Sequence, residues 1–416
     1  MSDTVNKVRN PSRPEFIALI AALMALNALA IDVLLPALPH MGAALGIASE
    51  NDRQLVLSVY MLGFGVAQLA FGPLSDRFGR RGPLLIGLIV YLIAAFAAIF
   101  APSYGVLLFL RVVQGMGAAG TRVIGQSIVR DRYAGSAMAE IMSLIFMVFM
   151  IMPIIAPGIG QLLLMVGPWW VIFLFMGGLA SVIMYIVFKR LPETLAVEDR
   201  RPLTLKSVIG GFGIVFSNRM AISYSLAGTF LFGAMFGFVF ASQQIYVGIF
   251  DLGALFPLAF AAVAAVMSLS SFLNSKIVAR IGMRKLSHSS LTAYVIISII
   301  WLAFTMTMTM PLWLFFCFVA PLMFTFGWMI SNMNSLAMEP LGKVAGTASA
   351  VFGFIQTVGG AGIGILIGQL YNDTLVPIAG GYVVMGILAF ICILVAEKGQ
   401  IYQNGPAPLA PNQKPA

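Results

Sequence analysis

Long apolar runs, each about the length of a membrane crossing and parted by short polar segments, dominate the chain. A transmembrane helix needs about 20 mostly apolar residues. Twelve runs meet that length: 16–39, 54–73, 83–101, 104–128, 137–163 and 168–188, then 221–246, 254–275, 288–309, 312–336, 344–370 and 375–396. They predict spans 1 to 12. The first run is too long and too weakly bounded for a cleaved signal peptide, because no small-residue cleavage pattern precedes the polar stretch Ser49 to Asp52. The longest interior polar segment, 189–219, divides the chain six and six. The expected organisation is a six-helix bundle over 1–188, a cytoplasmic linker loop over 189–219, a second six-helix bundle over 220–398 and a disordered cytoplasmic tail over 399–416.

A six-plus-six division suggests duplication, and its best local trace lies after spans 2 and 8. Asp76-Arg77-Phe78-Gly79-Arg80-Arg81 stands against Ala279-Arg280-Ile281-Gly282-Met283-Arg284, so the second copy keeps Arg-x-Gly-x-Arg and lacks the aspartate. Placing the N-terminus in the cytoplasm puts every one of the 24 Lys and Arg on that side except Arg53 outside and Arg111 and Arg122 within span 4. Such asymmetry sets orientation, so both termini are expected in the cytoplasm.

Composition narrows the class. Hydrophobic residues make up 60% of the chain and charged ones 9%, which excludes a water-soluble globular protein, disorder and collagen. Mean hydropathy is +0.98 and there are 42 glycines, as in polytopic helical membrane proteins where glycine permits close helix contact. The net charge of +9 is the topology signal itself, together with attraction to anionic lipid, and calls for no nucleic acid. Two cysteines, Cys317 and Cys392, and two histidines, His40 and His288, leave almost no material for a disulfide scaffold, metal or haem site. No Walker A pattern is present, so energised transport is expected to draw on an ion gradient, with no cofactor, no metal and no enzymatic chemistry.

Ionisable groups inside apolar runs are costly and mark function. The candidates are Asp32, Arg111, Arg122 and, near a span end, Glu140. At 1.5 Å per residue both Asp32 and Arg111 lie roughly 10 Å from the outer end of their spans. The expectation is an Asp32–Arg111 pair, or a water-filled pocket holding both, that couples protons; a structural buried ion pair is the other reading. Burial favours a neutral carboxyl and a neighbouring arginine favours the carboxylate, so such a site responds to substrate arrival.

Arg122 follows Arg111 by eleven residues, on one helix face with Gln114, Gly115 and Ala118, a stripe suited to a wet cavity. Snorkelling to the interface is the alternative for Arg122, and Glu140 is a possible partner. Tyr60, Phe64, Gln68 and Phe71 form an aromatic stripe with one amide on span 2, suited either to amphipathic substrates or to ordinary packing. Asn27 does not share a face with Asp32. Asn332 and Asn334, with Gln243 and Gln244, serve the cavity from the second half or bond between helices.

Span 5 carries Pro153, Pro157, Gly158 and Gly160, a bend that serves as hinge or close-packing point. Span 11 carries Gly359, Gly360, Gly362, Gly364 and Gly368, read as tight helix packing.

Gly72-Pro73-Leu74-Ser75-Asp76-Arg77-Phe78-Gly79-Arg80-Arg81 resembles the loop signature of the major facilitator superfamily. The resemblance implies that Gly72, Asp76, Arg77, Gly79, Arg80 and Arg81 form a cytoplasmic latch, with Asp76 facing the start of span 11, where a helix N-terminus favours an anion. Arg111-Val-Val-Gln114-Gly115 resembles the family's span 4 motif, associated with proton transfer, and Pro192-Glu193-Thr194 the ending of its first half. Ala30-Ile-Asp32-Val-Leu-Leu-Pro36-Ala-Leu-Pro39, Arg130-Asp131 and Gly346-Thr-Ala-Ser349-Ala resemble the Bcr/CflA drug-resistance subfamily. Ala156-Pro157-Gly158-Ile159-Gly160-Gln161 departs from the family's antiporter motif, which has paired glycines.

The resemblance implies an all-α integral membrane protein, twelve helices in two pseudo-symmetric bundles, that exports small amphipathic drugs in exchange for protons. Inner-membrane location, lipid contacts and a functional monomer go with that reading. The alternative is a proton-coupled transporter of a native metabolite.

Overall fold

The computed structural model describes residues 11–133, 135–200, 210 and 213–402, without the side chains at 135–137, 139–140, 143, 146, 149–150, 279 and 342–347. Helix α1 runs Arg13–Asp32, followed by a 3-10 turn Leu35–Ala37 and a short α2, Leu38–Ala44. Then come α3 Leu55–Phe78, α4 Arg81–Ile99, α5 Tyr104–Arg132, α6 Gly135–Val166 and α7 Trp170–Arg190. The second half holds α8 Arg219–Gln243, α9 Phe256–Ile281, α10 Met283–Thr307 and α11 Leu312–Met338. Helices α12 Ala345–Phe354 and α13 Gly360–Gln369 are joined by a π-helical turn, Ile355–Gly359, and α14 Val376–Ala396 completes the order.

Among the described residues, 11 helical segments are long and apolar enough to cross a membrane. Predicted span 5 lies within α6, of which Ile151–Val166 is itself an apolar helix. Predicted spans 1 and 11 are each interrupted, the first after Asp32 and the second by the π-helical turn.

Local sequence sets several helix starts. Ser12 and Glu15 form a capping box at the head of α1, with Pro14 in its first turn. The Ser103 hydroxyl accepts from the Val106 N–H, and the Asn218 amide oxygen from the Ala221 N–H, at the heads of α5 and α8. Gly79 and Gly282, at φ +89° and +87°, turn the chain from α3 into α4 and from α9 into α10, a backbone region open almost only to glycine.

Helices α3 and α5 touch along their backbones. A Cβ added at Gly115 would lie 2.1 Å from the Tyr60 carbonyl oxygen, so that contact exists only because the side chain is absent. One end of the helix assembly is basic, carrying Arg81, Arg190, Arg219 and Arg284; the Glu15–Arg190 pair, 3.4 Å, brings the starts and ends of the first half together there.

Candidate functional site

Asp32 is the last residue of α1 and 7% exposed, and its carboxyl has no hydrogen-bond or ion-pair partner among the described residues. The helix ends there because Pro36 has no N–H to continue the ladder. Leu34 N–H turns to the Ile31 carbonyl in 3-10 fashion, 3.3 Å, which deprives the Ala30 carbonyl of its helical donor. Arg111 fills that vacancy: its Nη2 donates to Ala30 O at 2.9 Å.

Arg111 is completely buried and spends its other donors nearby, Nε on Val56 O at 3.0 Å and Nη1 on Gln114 Oε1 at 2.6 Å. Its guanidinium lies 4.3 Å from the Tyr60 ring centroid and 5.9 Å from that of Phe173. Hydrogen bonds plus aromatic faces offset the cost of a charge at this depth. The direct Asp32–Arg111 ion pair expected from their shared depth is therefore not formed. Arg111 instead ties α1, α3 and α5 together two residues before Asp32, because a broken helix end offers its fork a carbonyl.

The Pro157–Gly160 stretch of α6 lies against the same end of α1. A Cβ on Gly160 would sit 2.1 Å from the Val33 carbonyl oxygen, while Gly158 has open space. The close approach thus needs one glycine of the altered antiporter motif. Pro153 and Pro157 are both held within the continuous helix.

The span 2 stripe divides between two tasks. Tyr60 and Phe64 are fully buried, the Tyr60 hydroxyl donating to Asn27 Oδ1 at 2.8 Å. Gln68 reaches across to the second half, its Nε2 donating to Thr357 Oγ1 at 3.2 Å. Phe71 packs where side chains at Gly87 and Gly120 would collide with it. Arg122 is half-buried, 6.0 Å from the Phe64 ring centroid, and the Glu140 side chain lies outside the described residues.

From the second half, Asn332 Nδ2 donates to Asn274 Oδ1 at 2.9 Å, and Asn334 Oδ1 accepts from Gln356 at 2.7 Å. Both thus make the interhelical bonds that were their alternative reading. Gly360 and Gly364 face Phe232 and Phe236 of α8, in keeping with tight packing.

At the end opposite the basic one, an amide cluster that the sequence reading missed joins the halves. Gln244 bonds Gln54 and donates to Asn51 Oδ1 at 2.9 Å; Asn51 Nδ2 donates to the carbonyls of Tyr371, 2.8 Å, and Gln369, 3.1 Å. Gln369 Nε2 returns a bond to Asn51 O at 3.0 Å. Only Gln244 drew notice in the sequence, because isolated amides in loops carry no periodic signal.

At the basic end the loop signature forms its contacts inside the first half. Arg80 Nη1 donates to Asp76 Oδ1 at 2.5 Å and to Ser75 Oγ at 3.0 Å, and Nε to Asp131 Oδ2 at 2.8 Å. Burial alone would lower the Arg80 pKa; the hydrogen bonds to Asp131 and Asp76 outweigh it and raise the value above the ordinary one. Glu193 accepts the N–H groups of Arg80, 2.7 Å, and Arg81, 3.1 Å, at the head of α4, where the helix dipole favours an anion. Arg77 stacks on Phe78, 5.5 Å to the centroid, and Gly72 has only Val123 within 4.0 Å of a built Cβ. The expected partner of Asp76, the start of span 11, has side chains outside the described residues, as do Gly346 and Thr347 of the Gly346–Ala350 motif.

A bundle of membrane-length helices, a buried carboxyl at a helix break and polar bridges between two halves define a polytopic membrane transporter. The comparisons agree. Residues 20–365 match the Major Facilitator Superfamily, and the chain belongs to it. It is 30% identical over 379 residues to a bicyclomycin resistance protein homolog of Haemophilus influenzae, covering 90% of this chain and 95% of that protein. Multidrug resistance protein D of Escherichia coli is 27% identical over 395 residues, 93% of this chain and 97% of its own. These relatives agree with the resemblance to the Bcr/CflA group. Among solved structures, a bacterial homolog of the human lysosomal transporter Spinster has a TM-score of 0.70 at 16% identity, covering 93% of this chain and 96% of that chain. At that identity the likeness concerns the fold alone.

Proposed function

We propose that this protein exports small amphipathic drugs in exchange for protons, with Asp32 as the proton-carrying group. The observation that carries this reading is Asp32 itself: a buried carboxyl without a fixed partner among the described residues, at a helix break where α6 packs through Gly160 onto Val33. A carboxyl already tied to an arginine would be committed to one charge state, whereas this one is free to bind a proton or to meet a cationic or hydrogen-bonding drug. Arg111 acts as a positioning residue that fixes the broken end of α1.

The architecture proposed is twelve helices in two six-helix bundles, 1–188 and 220–398, joined by the loop 189–219, with both termini in the cytoplasm and the monomer as the working unit. The halves rock around a midplane site. The amide cluster closes the outer end, and its separation accompanies outward opening. Protons bind Asp32 from outside as drug leaves; drug binding from the cytoplasm releases them.

Drug-dependent proton movement in vesicles of the purified protein, with a small antibiotic panel, tests this. The parent is expected to release protons on drug addition and Asp32→Asn to release none. If Asp32→Asn keeps full uphill transport, the assignment fails. If no drug moves protons while a native metabolite does, the substrate class is wrong and the coupling stands.

A further inference from the structure

A cleft of about 790 Å³ lies between α1 and α7 near the basic end, outside the proposed transport site. Its α1 wall is Ala18, Leu19 and Ala22, and its α7 wall Ile183 and Ile186, with Lys189 and Arg190 at the mouth. The α7 groups recur at i, i+3 and i+7, so one helix face runs from apolar depth to charge. From Arg190 to Ile183 is roughly 10 Å along the helix at 1.5 Å per residue. The two alanines make the cleft, since larger side chains there would fill it. Tyr185, 63% exposed, stands beside it.

Charge decides what suits this cleft. Lys189 has no hydrogen-bond or ion-pair partner among the described residues, and Arg190 has a single exposed, long ion pair with Glu15. That leaves most of both cations' donors unspent at the place where lipid head groups begin. We propose that the cleft holds one anionic phospholipid, its phosphate on Lys189 and Arg190 and an acyl chain laid between Ala18, Ala22 and Ile183. A guanidinium offers a phosphate two parallel N–H donors, and the apolar walls exclude a soluble anion from the depth of the cleft. Glu15 opposes the phosphate and competes for Arg190, so it tunes occupancy downward.

The test is native mass spectrometry of the full purified chain in detergent, with phosphatidylglycerol or phosphatidylcholine of identical acyl chains added. The parent is expected to retain one phosphatidylglycerol about 10- to 30-fold more readily than phosphatidylcholine, at roughly 1 kcal/mol per cation. Lys189→Gln with Arg190→Gln, both at exposed positions, removes the preference. Ala22→Phe keeps both cations yet removes the bound lipid, and Glu15→Gln, which preserves the capping box, strengthens retention severalfold. Lys276→Gln, a basic-end cation outside the cleft, leaves it unchanged. Equal retention of the two lipids by the parent overturns the proposal. So does a preference that survives Ala22→Phe, since that would place the lipid on the open surface.

Discussion

The two copies of the Arg-x-Gly-x-Arg loop use one plan with different wiring. In the first half, Arg80 grips Asp131 in the last turn of α5, while the carboxylate after α7, Glu193, is exposed and reads backbone N–H groups. In the second half Arg284 takes both acids on its side chain, Glu339 beyond α11 at 3.0 Å and Glu397 after α14 at 3.0 Å. Glu397 is 3% exposed and also accepts from the Tyr224 hydroxyl at 2.6 Å, and that hydroxyl meets His288 Nε2 at 2.9 Å. The lesson is that a repeated loop conserves which helix ends are tied, whereas burial decides how tightly they depend on single side chains.

The largest difference is expected on removing the two carboxylates. Glu397→Ala strands the Arg284 guanidinium and the Tyr224 hydroxyl and costs about 3–5 kcal/mol. Glu193→Ala leaves N–H groups that water can reach and costs about 1 kcal/mol, like the loss of a helix cap. Thermal unfolding of the detergent-solubilised variants checks this, and equal losses would erase the contrast.

A smaller difference is expected at the two glycines. Either alanine meets a strained backbone, about 1–3 kcal/mol. Gly79→Ala also drives a Cβ to 2.4 Å from Glu193 Oε2, whereas the space at Gly282 is open. Gly79→Ala is therefore the more destabilising, by about the 1 kcal/mol that the displaced cap is worth. Double variants with Glu193→Ala sharpen the point, since that added loss disappears once the carboxylate is gone.

The smallest effect belongs to His288. The Tyr402 N–H donates to its Nδ1 at 3.2 Å, which fixes the start of the C-terminal segment in the second half only. His288→Gln, which keeps an amide for the Tyr224 hydroxyl while removing the Nδ1 acceptor, is expected to raise amide exchange around Tyr402 severalfold with a smaller loss of unfolding temperature than Glu397→Ala. Unchanged exchange would show that the segment is held by other contacts.

How much was legible follows from the type of signal. Asp32 and Arg111 stood out because charges inside apolar runs are rare, and their depth was read from helix rise alone. The direct pair does not form because span 1 is broken: Pro36 stops the ladder, and the freed Ala30 carbonyl captures Arg111. Asn332 and Asn334 were visible as polar residues, yet Asn274 and Gln356, their partners, are set by packing. The amide cluster joins residues some 190 to 320 positions apart, beyond any local pattern.

The sequence by itself determined the membrane class, most of the helices, the basic end and the superfamily, because hydrophobic length, charge asymmetry and glycine turns are local properties that act through the solvent. Tertiary structure decided which donor meets which acceptor. Arg111 chose a backbone carbonyl over Asp32, Arg80 chose its own half, and Glu397 became buried where Glu193 stayed exposed. Most buried polar groups find a partner within about 3 Å, Asp32 being the exception that marks the site, and only the packed helices determine what lies within that distance.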